Sequence, residues 1–339
     1  MPFRKTSLVC LGLWAGTALG ASVTDCRSIN DPTKRLACYD ALGADAAIPE
    51  PPPSDPVATG GPPPAKHQLG SSLSERWELD QDDKQGTFLF RPYRSVYVLP
   101  LRWTDHPNSM PQSPNPTNSS TTDLGLKNIE AKFQISFKTK LWQNMFSSPV
   151  DFWFGYTQRS FWQVYNKEQS SPFRETNYEP EAFFTIPSDF RLGGVGWRYT
   201  NLGLVHQSNG RADPYSRSWN RVYAAFGFES GDWAFQIRPW LRLKEDAQKD
   251  NNPDIENYAG RGDAALIYKH DGHIVTLSGA HSLRGGDENH GGLQLEWAFP
   301  IAGYLRGHVQ AFTGYGESLI DYNHRQTSFG VGFSLAEAL

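Results

Sequence analysis

The chain has 339 residues, with 36 acidic and 32 basic side chains, so its formal net charge is −4. This balance argues against a strongly basic nucleic-acid binder, and no nucleic-acid partner is predicted. Hydrophobic residues make up only 38% of the chain, but 13% is aromatic, which argues against disorder. Beyond the N-terminal segment, no run approaches the roughly 20 apolar residues that a membrane-spanning helix needs. A helical membrane protein is therefore excluded, whereas a membrane barrel is not.

The first 20 residues have the pattern of a secretory signal peptide. Arg4 and Lys5 give a basic start, residues 8–19 are apolar, and residues 18–20 offer a small-x-small cleavage site. A short buried helix would explain the apolar stretch but not the basic flank and the cleavage site. We therefore expect export, with a mature chain that begins near Ala21.

Two small regions are predicted after the signal. In residues 21–48, Cys26 and Cys38 are the two cysteines outside the signal, and an oxidising compartment would join them. Between them, Asp31 followed by proline predicts the start of a short helix, which the disulfide would staple. Residues 49–75 are predicted to be a Pro-rich linker, and we expect this whole N-terminal segment to be periplasmic.

Residues 76–339 are predicted to form an all-β fold, a transmembrane antiparallel β-barrel. The clearest strand runs from Asn128 to Leu141, where apolar and polar side chains alternate with a period of two. The alternation returns in later segments, and counting from Arg94 to Leu335 gives about twelve strands, an even number as in bacterial barrels. Short turns alternate with long polar connections, as periplasmic turns and outer loops do. A soluble β-sandwich would alternate too, but aromatic residues at both ends of the apolar rows favour a membrane-spanning wall.

Polar residues interrupt an apolar row in one predicted hairpin. Leu202 and Leu204 set the lipid-facing parity of one strand. The next two members of that row are His206 and Ser208, and Asn220 begins the matching row on the partner strand. Residues i and i+2 share a face about 6.8 Å apart, so His206 can act as general base for Ser208 while Asn220 orients the imidazole. A polar cluster near the membrane interface is the alternative, and parity alone leaves both open.

The loop between these two strands carries oxygen ligands. Asp213, Ser216 and a backbone carbonyl would suit a hard cation such as calcium. Such an ion would stabilise an oxyanion electrostatically. A single Asp in a turn is more often a turn former, so the loop by itself leaves metal binding open.

Long runs of the sequence resemble a known family. Residues 206–221 resemble the active-site hairpin of the outer-membrane phospholipase A family, and so do residues 156–163 with the following run 170–180. The resemblance covers the chain from about Phe88 to its end. It implies a twelve-stranded barrel, integral to the outer membrane of a Gram-negative cell. It also implies hydrolysis of the sn-1 and sn-2 acyl esters of glycerophospholipids and lysophospholipids, with calcium, by an enzyme active as a homodimer.

The resemblance assigns the three hairpin residues to a catalytic triad. By position in the motif, Ser208 is the nucleophile, His206 the base and Asn220 its orienter. The substrates would be membrane phospholipids. The cysteine pair and the linker lie outside the family's core, and the resemblance gives them no role.

The resemblance also assigns a calcium site and a dimer contact. It places Asp213, Ser216 and the carbonyl of Arg211 at the ion, with Ser170 contributed by the other protomer. Gln158 lies in an apolar row, and the resemblance implies that it hydrogen-bonds across the dimer. A lone amide facing lipid is costly unless it is paired, which gives this role a physical reason.

The alternative function is that of a passive outer-membrane channel or a structural barrel. Large side chains occupy the rows predicted to face the lumen, and they would fill a barrel of about twelve strands. A filled barrel transports little, so an interfacial lipid esterase is the preferred interpretation. The predicted lumen side chains are Trp153, Arg159, Trp197, Arg198, Tyr199, Arg221, Tyr223, Arg238 and Trp240.

Overall fold

A computed structural model describes residues 26–44 and 73–337 of the chain. The chain divides into two units, Met1–Pro64 and Ala65–Leu339. The predicted signal peptide and most of the predicted linker lie outside the described residues. In the two described ranges, no helix is long and apolar enough to cross a membrane.

The described part of the first unit contains the helix α1 (Pro32–Ala44). The carboxylate of Asp31 accepts hydrogen bonds from backbone amides of its first turn, so the predicted helix start is confirmed. Cys26 and Cys38 form a disulfide, with their Cα atoms 5.6 Å apart. The disulfide therefore ties α1 to the chain that precedes it.

The second unit is a closed antiparallel barrel of twelve strands with one short extra strand, β1. Its strands are β1 Phe90–Pro92, β2 Val96–Thr104, β3 Ile129–Trp142, β4 Asp151–Trp162, β5 Phe173–Leu192, β6 Val195–Ser208, β7 Ser218–Ser230, β8 Trp233–Leu243, β9 Gly262–His270, β10 His273–His281, β11 Gly291–Ala302, β12 Leu305–Gly314 and β13 Gln326–Ala336. From β2 onward each strand pairs with the next, and β13 pairs with β2 to close the barrel. The extra strand β1 pairs with β3 beyond the stretch that β2 occupies. The prediction of twelve strands is confirmed.

Short connections lie at one end of the barrel and long loops at the other. Tight turns follow β5, β7, β9 and β11, whereas β2, β4, β6, β8, β10 and β12 are followed by longer loops. This is the predicted order of short turns and long outer loops. Short 3₁₀ turns occur at Gln81–Asp83, Pro116–Asn118, Met145–Ser147, Lys167–Gln169, Ile255–Asn257 and Gly286–Glu288.

The strands present an apolar face outward and a polar face inward. In β3, Ile135 is 48% exposed, whereas Lys132, Lys138 and Lys140 are fully buried. Buried ammonium groups need partners inside the protein, so the polar rows of the barrel face one another across its interior. The alternation predicted for this strand is confirmed.

One predicted lumen residue lies on the outer face instead. The Trp197 ring contacts Phe226 and Phe228 of the outward row, while Arg198 and Tyr199 are both buried. The pairing register between β6 and β7 shifts between Trp197 and Tyr199. This bulge turns two consecutive side chains inward, which strict alternation cannot show. The prediction for Trp197 is therefore wrong.

The helix α2 (Leu73–Trp77) packs among inward-facing side chains of the barrel. The Trp77 ring contacts Tyr93, Phe183, Tyr199 and the ammonium group of Lys138. Because α2 begins inside the range predicted as linker, the linker boundary at residue 75 is too late. The folded unit includes Leu73.

The loop between β12 and β13 fills the interior at the opposite end. Its Glu317 forms ion pairs with Arg102 at 2.5 Å and Lys132 at 2.9 Å, and its Asp321 pairs with Arg174 at 2.7 Å. Burial raises the pKa of Glu317, but the two cations outweigh this effect and hold the pKa well below its ordinary value. Between the two ends, the interior retains a cavity of about 280 Å³.

Candidate active site

The hairpin of β6 and β7 brings His206 and Asn220 together. The two residues are paired directly in the strand register. The imidazole Nδ1 of His206 lies 2.8 Å from the amide Oδ1 of Asn220. Because a carbonyl oxygen only accepts hydrogen bonds, Nδ1 carries the proton in this pair and Nε2 is left to accept one.

Ser208 lies two residues beyond His206 on the same outward face. Leu204, 56% exposed, belongs to that row and marks it as the outer wall. In the register, Ser208 pairs with Tyr178 of β5 and Ser218 of β7. Within the described part of the chain, the Ser208 hydroxyl makes no hydrogen bond to His206. Catalytic hydrogen bonds often tighten only when substrate binds, so the spacing is compatible with a nucleophile and its base.

Two buried side chains hold the loop between β6 and β7 in shape. Asn209 donates to the carbonyl of Tyr215 at 2.8 Å and accepts from the backbone amides of Arg211 and Arg217. The Arg217 guanidinium donates to carbonyls of its own loop and to the carbonyl of Asn118 in the first outer loop. Burial lowers the pKa of Arg217, but its ordinary value is so high that the group stays charged. The loop beside Ser208 is therefore fixed from within.

Three of the four predicted calcium ligands, Arg211, Asp213 and Ser216, lie in this fixed loop, whereas Ser170 lies between β4 and β5. Asp213 Oδ1 accepts a hydrogen bond from Asn118 at 2.8 Å, and Ser216 Oγ accepts one from Asn251 at 2.8 Å. Together with the Arg211 carbonyl, they form a set of hard oxygen donors, which is the chemistry that calcium prefers. Among the residues that the structure describes, no three His, Cys, Asp or Glu side chains cluster as a metal site. A cation here would have one carboxylate and otherwise neutral oxygens from this chain.

The two residues expected at a dimer contact lie on or beside β4. Ser170 follows the turn Lys167–Gln169 in a left-handed conformation and is exposed. The Gln158 amide is bonded within its own strand, because the Tyr156 hydroxyl donates to its carbonyl at 3.0 Å and its NH₂ donates to Ser160 at 3.3 Å. The amide is therefore paired within its own chain. Its role in a dimer stays a prediction.

Sequence reasoning missed the side chains that support the site from other positions. Among them is Glu245, in the loop after β8, which accepts a hydrogen bond from Asn220 Nδ2 at 3.3 Å. Asn209 and Arg217 lie in the β6–β7 loop itself, whereas the others lie in separate loops that no periodicity links to the hairpin and that only folding brings to it. The missed residues are Asn118, Asn209, Arg217, Glu245 and Asn251.

Comparisons with known proteins identify the family of the chain. The phospholipase A1 family model matches residues 73–335. The phospholipase A1 of Escherichia coli (strain K12) is 38% identical over 248 residues, covering 73% of this chain and 82% of its own. The solved outer membrane phospholipase A of Escherichia coli is 35% identical and covers 75% of this chain and 94% of its own, with a TM-score of 0.66. A Salmonella typhi outer membrane phospholipase, described as a dimer with bound calcium, is 34% identical and covers 75% of this chain and 95% of its own, with a TM-score of 0.67. The chain therefore belongs to the phospholipase A1 family of outer-membrane phospholipases, as its sequence motifs predict.

Proposed function

We propose that this chain is a calcium-dependent outer-membrane phospholipase A that hydrolyses the sn-1 and sn-2 acyl esters of glycerophospholipids and lysophospholipids. The observation that carries the proposal is the 2.8 Å hydrogen bond between His206 and Asn220, on an outward row that ends in Ser208. A phospholipid beside the wall can present its ester to this row without leaving the membrane. Catalysis on the outer face therefore suits a substrate that is itself part of the bilayer.

The triad works by covalent catalysis. His206 Nε2 accepts the Ser208 proton as the Oγ attacks the acyl carbonyl carbon, and a tetrahedral oxyanion forms. The imidazolium then gives its proton to the glycerol oxygen, which leaves as the lysophospholipid while the acyl group stays on Ser208. Water attacks the acyl-enzyme with the same base, releasing the fatty acid and restoring the hydroxyl. Asn220 fixes the tautomer throughout, but as a neutral group it stabilises the imidazolium less than a carboxylate would.

Three donors of the β6–β7 loop would hold the calcium ion. They are Asp213, Ser216 and the Arg211 carbonyl, and their oxygen chemistry fits the ion. When bound, calcium supplies electrostatic stabilisation of the oxyanion. Because the β6–β7 loop, residues 209–217, contains a single carboxylate, Asp213, we assign Ser170 of the partner subunit as a further ligand.

A homodimer would complete the substrate pocket. Catalytic groups on one outer wall need a second wall to enclose an acyl chain, and the wall beside them is apolar, with Leu204 56% and Val222 39% exposed. Gln158 would exchange its bonds within the strand for bonds across the dimer. The Salmonella typhi relative, described as a calcium-bound dimer, supports this assignment.

The alternative of a passive channel is not favoured by the interior contacts. The helix α2 occupies one end of the barrel and the ion pairs of Glu317 occupy the other. For the N-terminal segment we propose a periplasmic location, because a disulfide such as Cys26–Cys38 persists in an oxidising compartment.

The test is fatty-acid release from mixed phospholipid–detergent micelles by the purified protein. We expect activity and crosslinked dimer to rise together as calcium is added, and both to fall with a chelator. Activity unchanged by the chelator, or full activity in a demonstrably monomeric preparation, would contradict the calcium-dependent dimer. No release of fatty acid under any of these conditions would contradict the phospholipase itself.

A further inference from the structure

Glu245 accepts a hydrogen bond from Asn220, which lies on the outer face of the barrel. Asn220 pairs in the register with Leu243, the last residue of β8, and Glu245 lies two residues further along the chain. The Asn220 Nδ2 donates to Glu245 Oε1 at 3.3 Å, while its Oδ1 lies 2.8 Å from the Nδ1 of His206. The amide of Asn220 is thus held at both ends, by a carboxylate on one side and an imidazole on the other.

The carboxylate can select one of two orientations of this amide. The two ends of an Asn amide are alike in shape but opposite in hydrogen bonding, since the oxygen accepts and the nitrogen donates. A carboxylate only accepts, so Glu245 favours the orientation in which the NH₂ faces it and the carbonyl faces His206. In the reversed orientation, the NH₂ would face Nδ1 and favour the tautomer that cannot accept the Ser208 proton.

We infer that Glu245 is a positioning residue, which fixes the amide of Asn220 and through it the productive tautomer of His206. This inference rests on the proposed function, because Glu245 can affect catalysis only if the triad is the catalytic site. Glu245 itself touches neither His206 nor Ser208 among the described contacts. Its effect is therefore expected on turnover and not on lipid binding.

The experiment measures kcat and KM of two variants in calcium-containing mixed micelles. We expect Glu245→Ala to lower kcat about fivefold to tenfold with KM unchanged, the size of one lost orienting hydrogen bond. Glu245→Gln keeps an acceptor oxygen for the Asn220 NH₂, so we expect its kcat to stay within about twofold of wild type. In an Asn220→Ala background, Glu245→Ala should cause no further loss, because the group that it orients is gone.

A matched control breaks a similar contact far from the triad. Asn257, later in the same loop as Glu245, donates to Glu288 of the loop after β10 at 3.1 Å, so Glu288→Ala removes the same kind of bond and should leave kcat unchanged. Any of four results would overturn the inference. Glu245→Ala could keep full activity or change only KM. Glu245→Gln could be as impaired as Glu245→Ala, or Glu245→Ala could lower kcat further in the Asn220→Ala background. Ser208→Ala, measured in parallel, separates a failure of the proposed phospholipase function from a failure of the role of Glu245. If Ser208→Ala stays active the proposed function fails, whereas an inactive Ser208→Ala beside a fully active Glu245→Ala defeats only the role of Glu245.

Discussion

Replacing Trp77 with alanine tests whether α2 is a structural part of the barrel. The Trp77 side chain is 2% exposed, it contacts three aromatic rings, and the Lys138 Nζ lies 3.4 Å from its ring centroid. Truncation of a buried Trp costs about 3–5 kcal/mol, and loss of a desolvated cation–π contact adds up to about 2 kcal/mol. We therefore expect the free energy of unfolding to fall by roughly 3–7 kcal/mol. Specific activity at a permissive temperature should be retained, because α2 lies at the turn end and His206 at the loop end.

The assay compares urea unfolding of wild type and variants in detergent micelles, with esterase rates on the same samples. Trp233→Ala is the matched control, since Trp233 begins β8 at the turn end of the barrel but is 48% exposed on the outer face. We expect the control to lose less than half as much stability as Trp77→Ala. Equal losses in the two variants would show that the interior position of Trp77 adds no stability beyond that of an outward Trp, and would contradict a structural role for α2.

Three further predictions concern the triad, the interior ion pairs and the N-terminal segment. Asn220→Ala should lower kcat about tenfold, since it removes one neutral hydrogen bond to His206, and a loss as complete as that of Ser208→Ala would argue that Asn220 does more than orient. Glu317→Gln should cost roughly 3–5 kcal/mol of stability at neutral pH by leaving buried cations unpaired. Because the pKa of Glu317 is depressed in the folded state, this contribution is present above the ordinary Glu pKa of about 4.3 and is lost as pH falls below it. Urea midpoints of wild type and Glu317→Gln should therefore converge on acidification, and a constant difference would contradict the assignment. Deleting Ser22–Lys66 behind an intact signal should leave the specific activity of inserted, dimeric enzyme unchanged, and a large loss of turnover would show that this segment works in catalysis.

Sequence alone could predict the strands because each side chain in a barrel wall has one of two environments. Lipid lies outside and a polar interior lies inside, so the pattern of β3 shows its faces directly. The prediction fails where the backbone departs from strict alternation, as at the bulge beside Trp197. It also fails for α2, whose five residues are too short to show a helical period.

In the candidate site, too, residues on strands could be predicted from the sequence, whereas residues in loops could not. His206 and Asn220 could be predicted because both lie on strands and interrupt apolar rows. Glu245 and Asn251 lie in a loop whose path no local pattern specifies, so their contacts to Asn220 and Ser216 appear only in the folded chain.

The most direct test of the function is the turnover of Ser208→Ala in the micelle assay with calcium. We expect the rate to fall to that of the blank while the barrel stays folded, because an outward hydroxyl adds little stability. Ser218→Ala is the matched control, since Ser218 pairs directly with Ser208 on the neighbouring strand, and it should remain active. Retention of more than a trace of activity by Ser208→Ala would contradict the assignment of Ser208 as the nucleophile, and with it the proposed mechanism.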